Sequence, residues 1–92
     1  MMNKNTRRKL MGISAQVCAY KESIEDLKND VEAIRDEEEE KYDNLPEGLQ
    51  ESEMGETLQE VYDKLDSIAG SLDMIVDDLG SVAEELDEVV TL

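Results

Sequence analysis

A chain of 92 residues with three tyrosines as its only aromatic residues can build only a small aliphatic core, so help from self-association is expected. Its formal charge of −16 is uneven: Lys4, Arg7, Arg8 and Lys9 precede every acid, and residues 11–92 set five bases against 25 acids, a balance of −20. That field repels phosphates and anionic headgroups, which argues against direct nucleic-acid or membrane-surface binding by the body of the chain and makes a basic protein surface its natural counterpart.

Residues 1–9 read as a basic N-terminal arm, and residues 10–92 as one helical domain. The arm and the following LMGISAQVCAY resemble a secretory leader only superficially: the apolar part is short, Ser14 and Gln16 break it, and Val17 is wrong for a lipoprotein box before Cys18. No apolar run approaches the roughly 20 residues that span a bilayer. The lone Cys18 excludes an intrachain disulfide and a cysteine zinc cluster, and fits a reducing cytoplasm. Four bases followed at once by an apolar seam are too few for a basic-zipper arm, so they are expected to pair with acids at the chain's other end.

The first helix is expected over about residues 7–42. Leu10, Ile13, Val17, Tyr20, Ile24, Leu27, Val31 and Ile34 alternate steps of three and four, a heptad seam. Its continuation falls on Glu38 and Lys41, so the apolar face ends before the helix does. Lys21, Lys28 and Arg35 line one edge of the seam, where they can meet acids of a neighbouring helix.

An elbow is expected over about residues 43–54. Asn44 is a candidate cap for a turn entered through Leu45 and Pro46, Leu45 and Leu49 are expected to fold back over the bundle end, and Ser52 is a candidate cap for the second helix. The acidic run Asp36–Glu40 lacks the spaced ligands and central glycine of a calcium loop and reads as a solvated rim, with no metal expected.

The second helix is expected over about residues 55–91. Leucines recur every seventh residue from Leu58 to Leu86, with Val61, Ile68, Ile75, Val82 and Val89 three residues on and Tyr62, Ala69, Val76, Ala83 and Val90 four residues on. Three apolar columns make a stripe broader than one partner helix covers.

Two helices of similar length, a short connection, and Pro46 with Gly48 in the middle predict an all-α antiparallel hairpin. Pairing residues whose numbers sum to about 99 sets every apolar layer of the first helix on an apolar layer of the second. Tyr62, Ala69, Val76, Ala83 and Val90 are left over in that pairing and form the expected self-association face of a homodimeric four-helix bundle.

Catalysis finds no histidine, no glycine-rich phosphate loop and no nucleophile elbow, so neither an enzyme nor a cofactor is expected. Carboxylates along a narrow rod can instead imitate a phosphate backbone, and Asp73, Asp77 and Asp78 are the candidate acidic face for a basic-surfaced partner.

The elbow YDNLPEGLQESEMGE, between acidic amphipathic helices over about residues 21–90, resembles a group of small phage, prophage and mobile-element proteins of Gram-positive bacteria. Tyr42, Asp43, Asn44, Leu45, Pro46, Glu47, Leu49, Gln50, Ser52, Glu53 and Gly55 carry the likeness, while Met54 stands where that group has an arginine. The resemblance implies a helical hairpin in a phage setting and supplies no catalytic residues. The expected function is a non-catalytic interaction protein, with a nucleic-acid-mimicking inhibitor of a host defence nuclease and a minor phage assembly factor as alternatives.

Overall fold

The computed structural model describes residues 2–92 and is an all-α, coiled-coil-like helical hairpin. Helix α1 runs Lys4–Asp43, a short α2 Glu47–Gln50, and α3 Glu53–Thr91. Residues 4–9, expected as an arm, are the first turns of α1. Asn3 starts the helix there: its Oδ1 accepts the Thr6 N–H at 2.8 Å, filling one of the donors a helix N-terminus leaves open. Pro46 ends the run, since it disfavours helical geometry at Leu45 and has no N–H to donate. Glu53 and Glu56 sit in the first turn of α3, where the helix dipole favours acids.

The chain divides into two compact units, one formed by residues up to Asp26 with Asp73–Leu92, the other by Leu27–Leu72. In the first, a stretch of α1 lies antiparallel to a stretch of α3, and Ser14 Oγ donates to Asp87 Oδ1 at 2.9 Å. In the second, Arg35 Nη1 reaches Asp66 Oδ1 at 2.8 Å. Both links join residues whose numbers sum to 101, so the expected axial register is displaced by two residues, about 3 Å.

The rotation of the helices differs from expectation more than their register does. In α1, Leu10, Val17, Ile24 and Val31 are half-buried, but Ile13, Tyr20, Leu27 and Ile34 are exposed, Tyr20 at 63 %. The column that turns toward α3 instead carries Arg7, Ser14, Lys21, Lys28 and Arg35, with Ser14 buried and the other four half-buried. In α3 the buried apolar side chains are Ala69, Val76 and Ala83, at 4, 7 and 8 % exposure, while Ile68, Ile75 and Val82 face out.

Size explains the choice. Alanines on α3 let the helix axes approach, and Lys21, Lys28 and Arg35 lie over that contact, the Lys21 ammonium against Gly80 and the Arg35 guanidinium on Asp66. A column of isoleucine, tyrosine and leucine from α1 set against the valine and isoleucine column of α3 would hold the helices further apart. The cost of the closer contact is an open core: among the described residues no large side chain is fully buried.

Candidate interaction surfaces

The predicted self-association stripe is corrected by this packing. Ala69, Val76 and Ala83 are buried, and Tyr62 and Val90 half-buried, within a single chain, so the stripe is the hairpin's own seam and is not available to a second copy. What remains outside is the neighbouring column. In the first unit Ile13 and Tyr20 of α1 and Ile75, Val82 and Val89 of α3 are exposed; in the second, Leu27 and Ile34 of α1 and Val61 and Ile68 of α3.

Within each unit the two exposed columns share one side. In both helices the exposed apolar residue precedes the inward one by a single position: Ile13 before Ser14, Ile34 before Arg35, Ile75 before Val76, Ile68 before Ala69. Reversing a helix also reverses the sense in which its residues wind about the axis. Antiparallel helices with equal rotational offset therefore present their outer columns to the same side.

The elbow is ordered by polar contacts more than by the leucines expected to close it. Leu45 is half-buried but Leu49 is 45 % exposed, so Leu49 covers little of the bundle end. Asn44 forms no cap of the next helix: Pro46 occupies that position, and no side chain caps it. Ser52 precedes α3 as expected, yet its hydroxyl donates back to the Leu49 carbonyl instead of accepting a helix N–H.

Gln50 and Gly55, which carry the elbow's resemblance but are given no structural role by sequence reasoning, hold the turn. Gln50 Nε2 donates to the Tyr42 carbonyl at 3.1 Å and lies 3.4 Å from that of Leu45. Gly55 is buried beneath the Gln50 backbone, so close that an added Cβ would lie 2.1 Å from its carbonyl oxygen. A glycine in the first turn of a helix, where a helix former serves better, was the available signal. Leu49→Asp is expected to move the melting temperature by less than about 4 °C in circular dichroism, the response of an exposed site.

The proposed acidic face is split. Asp73 and Asp77, one helical turn apart, share a side of α3, whereas Asp78 lies about 100° further round, beside the exposed apolar column. All three are exposed. Glu38 occupies a seam position with its side chain 17 % exposed, and Lys41 bonds it at 2.7 Å from outside the seam. That bond holds the Lys41 ammonium above the usual lysine range.

At the elbow end of the second unit, Tyr42, Tyr62, Leu58, Glu39, Asp43 and Asp63 line a solvent-open depression of about 390 Å³. Among the described residues no group of three or more His, Cys, Asp or Glu side chains is placed to hold a metal ion, and no helix is long and apolar enough to cross a membrane. Comparison with known proteins finds no matching family model, no matching curated protein and no matching solved structure.

Proposed function

We propose that this is a non-catalytic helical interaction protein, an accessory protein of a phage or other mobile element that acts by protein–protein binding in the bacterial host cytoplasm. The observation that carries the reading is the apolar face each unit leaves open, with no large side chain fully buried among the described residues. A chain that presents its aliphatic residues outward in ordered columns is built for assembly. The absence of histidine, and of a glycine-rich phosphate loop or nucleophile elbow, supports a role without catalysis. The phage setting rests on the elbow's resemblance.

A second reading, an acidic nucleic-acid mimic that inhibits a host defence nuclease of the anti-CRISPR or anti-restriction type, is favoured by Asp73 and Asp77, exposed on a side of α3 away from the apolar column. A minor structural or assembly factor for phage particles is the third. Affinity capture from host lysate, with and without nuclease and at low and high salt, separates them. Capture of a host protein supports the main reading. Its displacement by DNA, and weakening on Asp73→Asn with Asp77→Asn, favour mimicry, whereas capture of a virion protein that survives high salt favours assembly. No captured protein, in infected or uninfected lysate, overturns the interaction reading.

A further inference from the structure

We propose that the open apolar face of each unit seats the same unit of a second copy of this chain, stacked about a two-fold axis parallel to that unit's helices so that α1 of each lies on α3 of the other. This rests on the reading that the protein works by protein–protein contact, and names the first of those contacts. Area, charge and register each support it.

The chain exposes 6801 Å², whereas a folded monomer of 10.4 kDa exposes about 5,400 Å². The excess, about 1,400 Å², exceeds the roughly 800 Å² that each partner loses in a standard interface. Covering the open columns with a second copy removes part of that excess. It also gives each unit the layered core that three small buried residues do not supply.

The residues flanking the apolar columns decide the occupant. Positions three after the exposed apolar residues form the outer rim of each helix, and short of Leu92 at the chain end they make four rows. On α1 these are Gln16 and Ser23 in the first unit and Asp30 and Glu37 in the second. On α3 they are Lys64 and Ser71 in the second unit and Asp78 and Glu85 in the first.

A two-fold axis parallel to the helices leaves heights along them unchanged. A rim residue of α1 then meets the α3 residue of the other copy at the height that its own chain already places opposite it. That register is known, because Ser14 with Asp87 and Arg35 with Asp66 both sum to 101. It sets Gln16 against Glu85 and Ser23 against Asp78 in the first unit, and Asp30 against Ser71 and Glu37 against Lys64 in the second.

Each of the four pairs joins a carboxylate to a hydrogen-bond donor, and no two like charges meet. In a chain of net charge −16 this is a strong selection, and it places the rim's only base of these four rows, Lys64, on an acid. The contact is isologous: each pair recurs on the other side of the axis. Like charges directly opposed would be destabilising, so the donor-to-acid pattern fixes orientation while the apolar columns supply affinity.

The test uses the full chain. Sedimentation equilibrium from 1 to 200 μM is expected to show a two-chain mass, and Leu27→Asp or Ile75→Asp, both at exposed positions, to raise the dissociation constant at least 100-fold while circular dichroism stays helical. Zero-length carbodiimide coupling on a mixture of isotopically heavy and light chains is expected to give a heavy–light Lys64–Glu37 crosslink. A monomer at 200 μM overturns the proposal but leaves binding of other proteins standing, which affinity capture reads separately. A dimer whose mass ignores Leu27→Asp and Ile75→Asp overturns the face. A heavy–light Lys64–Glu85 or Lys64–Asp78 crosslink in place of Lys64–Glu37 overturns the orientation.

Discussion

Val76→Asp is expected to cost at least about 3 kcal/mol and to lower the melting temperature by 15 °C or more, whereas Ile75→Asp, one residue away, leaves the isolated hairpin within about 0.5 kcal/mol of the parent. Val76 is 7 % exposed and Ile75 43 %. At position 76 the change removes an apolar side chain from the α1–α3 contact and puts a carboxylate into a 7 % exposed site, where desolvation outweighs what the lysines of the inward α1 column return. Asp73, one helical turn before it, adds repulsion from the same helix. Thermal melts followed by circular dichroism at the lowest workable concentration measure the two costs. If both aspartates are equally tolerated, α3 is rotated from the orientation described. The proposed dimer adds a second signature: the parent's melting temperature should rise with concentration, and that of Ile75→Asp should not.

The pair 75 and 76 also marks where the sequence is legible. Helix lengths, the antiparallel turn and the axial register follow from heptads and from Pro46, and the register found differs from the register read by two residues. Rotation does not follow from hydropathy. α3 carries more apolar columns than one partner can cover, so periodicity leaves the choice of its inward column open. On α3, hydropathy ranks isoleucine and valine above alanine, yet Ala69 and Ala83 turn inward because closeness, not side-chain area, decides a two-helix contact. On α1, a scale that scores Lys21, Lys28 and Arg35 by their charged ends misses the methylene stems that let them lie over that contact.

The same substitution of columns changes the logic of self-association. An inward column of lysines, arginine and serine meeting alanines makes a thin hairpin, and it leaves the larger aliphatic side chains on the open face. The apolar surface that would have closed the monomer is thereby available between copies. The expected role of self-association persists as a proposal, but through Ile13, Tyr20, Leu27, Ile34 and their α3 counterparts in place of Tyr62, Ala69, Val76, Ala83 and Val90.

Gly55→Ala and Gly70→Ala, the same chemical change on the same helix, are expected to act with opposite sign. A Cβ at Gly70 meets nothing within 4 Å, so alanine there gains helix propensity, about 1 kcal/mol, and raises the melting temperature by roughly 4–8 °C. A Cβ at Gly55 would lie 2.1 Å from the Gln50 carbonyl oxygen, 2.6 Å from its carbon and 2.8 Å from its Cα. All three are backbone atoms, so no side chain can swing aside and the elbow itself must move. That displacement strains the Leu49 N–H bond to Pro46 at 2.8 Å, the Ser52 N–H bond to Leu49 at 3.1 Å and the Gln50 side-chain bond to the Tyr42 carbonyl. Overpacking against backbone costs about 1–3 kcal/mol, more than the propensity gained, and a fall of about 10 °C is expected. Hydrogen exchange should then quicken at Leu49, Gln50 and Ser52 while the amides near Val76 keep their protection. An unchanged melting temperature for Gly55→Ala would mean that the elbow does not bear on α3 at this point, and that the two helices find their register from the seam alone.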